Sequence, residues 1–99
     1  MKTSIVILNW NGADMMRRFL PSVLEYSVGA EVVVADNGST DESLQMLKHD
    51  FPRVHIIKME RNYGFAEGYN QALRQVQADV YVLLNSDVRV TPGWLDPLI

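Results

Sequence analysis

The sequence predicts an α/β fold in which a mostly parallel sheet carries helices on both faces. Four short apolar runs alternate with segments whose apolar residues recur at helical spacing, in the order β-α-β-α-β-α-β-α. The runs at 4–8 and 31–35 are rich in β-branched residues, as in strands buried on both faces. A chain of 99 residues suffices for one such domain.

The first strand and the first helix follow from the residues before position 27. The strand at 4–8 ends at the loop "NWNG", and apolar residues at helical spacing predict a helix over 14–26. Pro21 lies inside this helix and lacks a backbone N–H, so we expect a kink or a restart there. The second strand, at 31–35, ends in "DNGSTD".

The middle of the chain predicts two helices around a third strand. Ser39 followed by Glu42 fits a capping box, which predicts a helix over 40–48. A strand is predicted at 54–58, and apolar positions from Phe65 to Val76 mark one face of a third helix.

The end of the chain predicts a fourth strand at 79–84 and a fourth helix. Thr91 followed by Pro92 is typical of an N-cap and a first helical residue, so the helix would run toward Ile99.

Composition excludes several classes of protein. The net charge is −3 and there is no basic run, which disfavours nucleic acid as a partner. The absence of cysteine excludes disulfides, zinc–cysteine sites and thiol catalysis. The apolar run at the N-terminus is too short to cross a membrane and has no signal-peptide cleavage region. We therefore expect a cytoplasmic location, which includes the inner face of the membrane.

Each predicted strand ends in a loop rich in Asn, Asp and Gly. The loops are 9–12, 36–41, 60–70 and 85–87. In a parallel sheet all four lie at the carboxyl edge, where open α/β sheets bind ligands. Each loop alone is equally typical of an ordinary turn, because these residues make local hydrogen bonds and tolerate left-handed backbone. The four together favour a ligand site.

The residue types in these loops suit a nucleotide diphosphate and a metal. The carboxylate of Asp36 can accept a hydrogen bond from a pyrimidine imino group or a ribose hydroxyl. Asn85 and Asp87 would point to one side of an extended chain. Asp87 as a single carboxylate suits Mg²⁺ or Mn²⁺ shared with diphosphate oxygens and water. Gly64 and Gly68 lie near a helix start, whose free N–H groups can meet phosphate.

Common alternative signatures are absent from the sequence. It contains no G-x-x-x-x-G-K-[ST] phosphate loop, no G-x-G-x-x-G after the first strand and no G-x-S-x-G elbow. His49 and His55 lie far from the four loops in the pattern, so neither is expected to act as a base.

Four stretches together resemble the nucleotide-binding half of family 2 glycosyltransferases of the GT-A fold. They are "SIVILNWNG", "EVVVADNGSTDES", "RNYGFAEGYNQAL" and "VLLNSDVRVTPGWL". They occur in the family's order, cover nearly the whole chain and are most similar to a rhamnosyltransferase-like branch. The resemblance implies a Rossmann-like sheet. It also implies that residues 1–99 form the nucleotide-sugar-binding part, with the acceptor-binding part absent.

The resemblance also implies roles for individual residues. The first three loops would contact or shape the nucleotide site through Asn9, Trp10, Asp36, Asn37, Gly38, Asn62, Gly64 and Asn70. The family's D-x-D motif would place Asn85 on the ribose and Asp87 on Mg²⁺ or Mn²⁺. Asn85 departs from the usual aspartate, and an amide is a poorer metal ligand. The family's catalytic base follows this motif and is expected beyond Ile99, so the 99-residue chain alone should be inactive.

The expected function is therefore part of an inverting sugar transfer. The donor would be a nucleotide-diphosphate sugar, and the acceptor a saccharide or lipid-linked molecule in polysaccharide synthesis. Two alternatives stay open at this point. One is a sugar nucleotidyltransferase, which would need a glycine-rich basic loop after the first strand. The other is a non-catalytic interaction domain, either a plain one or a response-regulator-like one; the response-regulator-like type would need an acidic pair after the first strand and a Lys after a fifth strand. Self-association is also expected, through apolar residues at the end of the chain, namely Trp94, Leu95, Leu98 and Ile99.

Overall fold

A computed structural model describes residues 1–98. Four strands, three α-helices and one short 3₁₀ helix follow one another along this part of the chain. They are β1 (Thr3–Asn9), α1 (Ala13–Glu25), β2 (Glu31–Asp36), α2 (Ser43–Asp50), β3 (His55–Lys58), α3 (Phe65–Leu73), β4 (Val80–Asn85) and the 3₁₀ helix Asp96–Leu98.

The four strands form one parallel sheet in the order β3-β2-β1-β4. The predicted α/β class and the parallel sheet are therefore confirmed. Asn9 of β1 pairs with Asp36 of β2, and Leu8 of β1 pairs with Asn85 of β4. The carboxyl ends of β1, β2 and β4 are therefore level with one another. This register brings the loops that follow β1, β2 and β4 to one edge of the sheet, which we call the carboxyl edge.

Helices pack on both faces of the sheet, as predicted. On one face, α1 and α2 bury their apolar residues against β1 and β2, with Ile5, Ile7, Val32 and Val34 at the centre. On the opposite face α3 packs over Val6, Val33 and Ala35. The two central strands are thus buried on both sides, which explains why their sequences lack an alternating pattern.

The fourth strand differs from β1 and β2, which are buried on both faces. It lies at the edge of the sheet, and its residues alternate between half-buried and exposed. Tyr81 is 40% exposed and Leu83 is 51% exposed, on the face that carries α3. An edge position leaves one side of β4 unpaired within residues 1–98.

The predicted capping box before α2 is wrong. The helix begins at Ser43, with Glu42 at the formal N-cap and no hydrogen bond from the cap side chain. The Ser39 hydroxyl donates instead to Asp36, at 2.6 Å. Its oxygen accepts the N–H of Asn11 at 2.9 Å, so the hydroxyl is used within the loop as donor and as acceptor and does not cap the helix.

Two further expectations about helices need correction. The helix α1 runs without interruption from Ala13 to Glu25 and contains Pro21, so it does not restart there, and a kink at Pro21 stays a prediction. The helix predicted from Thr91 does not form, because Gly93 has a φ of +77° and the segment makes turns before the short 3₁₀ helix. Ile99 lies outside the described residues.

The segment after β4 packs against α1. Val90 and Leu95 are buried in the core, and the Trp94 indole N–H donates to the Ser27 hydroxyl at 3.0 Å. Among the described residues of the predicted self-association surface, Leu95 is buried, Trp94 is half-buried and Leu98 is exposed. Self-association stays a prediction. Within residues 1–98 no helix combines the length and apolarity needed to cross a membrane.

Candidate functional site

A buried hydrogen-bond network joins the loops that follow β1 and β2. Asn9 donates its side-chain amide to Asp36 Oδ1 at 3.0 Å, and the Ser39 hydroxyl donates to the same oxygen at 2.6 Å. The backbone N–H of Ser39 donates to Asp36 Oδ2 at 3.0 Å. Asp36 is 1% exposed and Asn9 is fully buried. Both carboxylate oxygens of Asp36 are thus engaged inside the protein.

Asn11 ties the same two loops together from the surface. Its backbone N–H donates to the Ser39 hydroxyl at 2.9 Å, and its side-chain oxygen accepts the N–H groups of Thr40, at 2.7 Å, and Asp41, at 3.1 Å. The φ of Asn11 is +50°, a left-handed conformation that asparagine tolerates better than most residues. This role was not predicted from the sequence, where Asn11 counted only as a loop residue.

One carboxylate lies at the start of both α1 and α2. Asp41 accepts the N–H of Ala13 at 3.2 Å and the N–H of Ser43 at 2.9 Å. Burial raises the pKa of Asp41, but hydrogen bonds from Ser43 and Ala13 lower it by more, so the net shift is downward. The ionised side chain therefore accepts a hydrogen bond from an otherwise unpaired N–H group at each helix start. Its negative charge also interacts favourably with the positive ends of both helix dipoles.

Asn37 attaches the third loop to the second. Its side-chain amide donates to the Gly64 carbonyl at 3.0 Å and to Asn62 Oδ1 at 3.2 Å. Its side-chain oxygen accepts the N–H of Tyr63 at 2.9 Å. Asn37 is 2% exposed, so its amide is used fully to hold the chain between β3 and α3.

Gly38 lets the second and third loops touch. Its φ is +77°, and a Cβ added there would lie 2.6 Å from the carbonyl carbon of Arg61 and from the nitrogen of Asn62. These are backbone atoms, which cannot rotate away. Only glycine fits at this position.

We expect Gly38→Ala to destabilise the fold strongly. The left-handed backbone alone costs roughly 1–2 kcal/mol for a residue with a Cβ, and the clash with Arg61 and Asn62 adds to that. Gly29→Ala is the matched control, because Gly29 also has a positive φ but has no atom within 4 Å of the added Cβ. Urea unfolding followed by circular dichroism measures both variants. Equal losses of stability would show that the contact between the loops contributes nothing.

The loops are tied together while several of their polar groups remain open to solvent. Trp10, directly after β1, is 55% exposed. Asn85 ends β4, and Asp87 lies in the turn that follows; both are exposed, whereas Ser86 is half-buried between them. The Ser86 hydroxyl lies 3.6 Å from the place where a Cβ on Gly12 would stand, so this turn is adjacent to the first loop.

The match to known proteins is decisive for the family. The family described as Glycosyl transferase family 2 matches residues 4–99. This chain belongs to glycosyltransferase family 2. Its four polar loops are therefore the loops of a glycosyltransferase domain.

Curated relatives of this family 2 chain come from several bacteria. The uncharacterized glycosyltransferase YfnE of Bacillus subtilis (strain 168) is 37% identical over 89% of this chain. The succinoglycan biosynthesis protein ExoU of Rhizobium meliloti (strain 1021) is 33% identical over 96% of it. The N-acetylglucosaminyl-diphospho-decaprenol L-rhamnosyltransferase of Mycobacterium tuberculosis is 27% identical over 96% of it. The chain spans 24%, 29% and 35% of these relatives, respectively, and the rhamnosyltransferase-like branch is only one among them.

Solved structures of glycosyltransferases share the fold. The S. aureus TarS fragment in complex with UDP-GlcNAc superposes with a TM-score of 0.84 at 25% identity, over 99% of this chain and 30% of that one. The mannosyltransferase PcManGT of Pyrobaculum calidifontis, in complex with GDP-Man and Mn²⁺, gives a TM-score of 0.78 at 22% identity, over 89% of this chain and 28% of that one. The predicted GT-A architecture is confirmed.

Within this glycosyltransferase chain the predicted site residues fall into two groups. One group is buried or packed and holds the loops together; it consists of Asn9, Asp36, Asn37 and Gly38. The other group is exposed, although Asn62 and the Gly64 carbonyl also accept hydrogen bonds from Asn37; it consists of Trp10, Asn62, Gly64, Asn70, Asn85 and Asp87. The sequence placed all ten together but did not separate these two groups.

Proposed function

We propose that this chain binds a nucleotide-diphosphate sugar as the donor-binding part of an inverting glycosyltransferase. The whole protein would transfer the sugar to a saccharide or lipid-linked acceptor in polysaccharide synthesis. The observation that carries this proposal is the convergence of four polar loops at one edge of a family 2 sheet, with exposed Trp10, Asn85 and Asp87 on it. The TarS complex with UDP-GlcNAc supports the class of donor.

The exposed residues are assigned the contacts with the donor. Trp10 offers a flat apolar face to the base, and Asn85 can hydrogen-bond a ribose hydroxyl. We also assign Asn62, Gly64 and Asn70, which are all exposed, to the donor. Asp36 is 1% exposed, so it can contact the base only if the loops around it move, and its main contribution is to hold those loops.

The residues present fit a divalent metal that is shared with the donor. No three His, Asp or Glu side chains cluster to form a metal cage within residues 1–98. Asp87 supplies one exposed carboxylate, and Asn85 supplies a weaker amide oxygen. Mg²⁺ or Mn²⁺ takes its remaining ligands from diphosphate and water in such sites, and it stabilises the departing diphosphate. The PcManGT complex with GDP-Man and Mn²⁺ supports this proposal.

The rest of the proposal concerns the protein beyond this chain. Inversion requires a carboxylate base that deprotonates the acceptor hydroxyl, and we place that base after Ile99. The 99-residue chain would then bind the donor without transferring its sugar. A lipid-linked acceptor and the rhamnosyltransferase-like branch are supported by the mycobacterial relative, whose name specifies a decaprenol-linked sugar. We place the protein in the cytoplasm, including the inner face of the membrane.

Isothermal titration calorimetry tests the binding proposal directly. UDP, GDP and dTDP are titrated into the protein with Mn²⁺ and with EDTA. We expect binding of at least one nucleotide that is tighter with the metal. If the folded protein binds none of the three under either condition, the proposal is wrong.

A further inference from the structure

The hydroxyl of Tyr69 connects α3 to the carboxyl ends of two strands. It donates to the carbonyl of Leu84 in β4 at 3.0 Å and accepts the N–H of Leu8 in β1 at 3.5 Å. Tyr69 is 5% exposed, and its ring packs edge-on against Phe65 at 5.2 Å. One buried hydroxyl therefore bridges the two strands from the helix above them.

The bridge lies at the last pair of residues before the site. Leu84 directly precedes Asn85, Leu8 directly precedes Asn9, and Leu8 is the register partner of Asn85. Here β4 has a neighbouring strand on one side only, because it lies at the edge of the sheet. Leu84, Val88 and Val90 pack on the α1 face of the sheet, so the hydrogen bond from Tyr69 is the contact that holds the end of β4 from the α3 face.

The start of α3 is itself fixed against the other loops. A Cβ on Gly68 would lie 2.8 Å from Asn37 Nδ2 and 3.0 Å from Leu8 Cδ2, so the helix approaches both closely. Tyr69 is the next residue, so the close packing of Gly68 also fixes its position. Burial raises the pKa of Tyr69, so its hydroxyl stays protonated and remains a donor at neutral pH.

We propose that Tyr69 is a positioning residue for donor binding, which fixes the end of β4 so that Asn85 and Asp87 face the first loop. This inference rests on the proposed function. Tyr69 acts through the backbone of Leu84 and, being buried, has no direct contact with the donor. Its loss would alter the placement of the Asn85–Asp87 turn, and thus the metal-dependent part of binding.

The chain offers a matched control in Tyr81. Its hydroxyl donates to the Val76 carbonyl at 2.6 Å and accepts the N–H of Ala78 at 3.3 Å. Tyr81 therefore makes the same two kinds of backbone hydrogen bond, but it does so near the amino end of β4. Tyr69→Phe and Tyr81→Phe each remove one hydroxyl and keep the ring.

The test compares the two variants by nucleotide titration and by thermal unfolding. We expect Tyr69→Phe to weaken Mn²⁺-dependent UDP binding by about 3- to 10-fold, the equivalent of one hydrogen bond. Tyr81→Phe should bind like the wild type, with a smaller decrease in Tm, because Tyr81 is 40% exposed and water can replace its hydroxyl. Amide exchange of Leu8, measured by NMR, should become faster in Tyr69→Phe alone.

The outcomes separate this inference from the proposed function. If the wild type shows no metal-dependent nucleotide binding, the proposed function fails and this inference fails with it. If the wild type binds, and Tyr69→Phe binds as tightly, the positioning role is wrong. Equal weakening by both variants would also overturn it, because the effect would then follow from general destabilisation. If Tyr69→Phe does not fold, the hydroxyl is needed for the fold as a whole. A specific role in positioning the Asn85–Asp87 turn is then rejected.

Discussion

Asp87→Ala is expected to abolish the metal-dependent part of nucleotide binding. Asp87 is the one carboxylate among the exposed residues that we assign to the donor, and an amide or a water cannot replace its charge at a divalent ion. The dissociation constants measured with Mn²⁺ and with EDTA should therefore become equal. Isothermal titration of the nucleotide that the wild type binds best measures both constants.

The effect of Asp87→Ala should be confined to the ligand. The side chain is exposed and makes no hydrogen bond within residues 1–98, so the Tm should change by a degree or so at most, as is usual for surface substitutions. Asp96→Ala removes another exposed carboxylate, nine positions further along the chain, and controls for the change in net charge. If Asp87→Ala kept full metal-dependent binding, Asp87 would not be the metal ligand.

Sequence patterns predicted the fold well where one physical effect dominates. Strands β1 and β2 are buried on both faces, and their continuous apolar, β-branched runs predicted them as strands. The predictions failed where two local effects compete. Ser39 matched a helix cap by spacing, but its hydroxyl donates to the buried Asp36 and accepts the N–H of Asn11 instead. Thr91 and Pro92 matched a helix start, but the positive φ of Gly93 ends any helix there.

The site shows a similar division. Parallel pairing makes it predictable that loops rich in Asn, Asp and Gly meet at one edge. Composition does not reveal which of these residues form hydrogen bonds with one another inside the protein. Asn9 and Asp36 are register partners, a pairing that becomes visible only when β1 and β2 are aligned. Tyr69 was assigned to an apolar helical face, and nothing in that pattern marks the hydroxyl that reaches β4.

Replacement of Asp36 distinguishes its two possible roles. Its carboxylate accepts hydrogen bonds from the Asn9 amide, the Ser39 hydroxyl and the Ser39 N–H, all within a buried cluster. Hydrogen bonds to a charged group contribute about 1.5–3 kcal/mol each and do not add fully. We therefore expect Asp36→Ala to lower the free energy of unfolding by roughly 3 kcal/mol, measured by urea denaturation.

Asp36→Asn sharpens the comparison because it preserves shape. Its amide must place an NH₂ group against either the Asn9 amide or the Ser39 N–H, both of which are donors, so one hydrogen bond is replaced by a repulsive contact. Asp79→Ala is the control: that exposed carboxylate accepts one bond, from the Lys2 N–H at 2.6 Å, and should cost no more than about 1 kcal/mol. A residue that served only to contact the base would leave the unfolding free energy unchanged in both Asp36 variants and would alter only the preference among UDP, GDP and dTDP. Loss of stability in both variants, with binding lost in proportion to the unfolded fraction, would instead identify Asp36 as the residue that holds the first two loops in place.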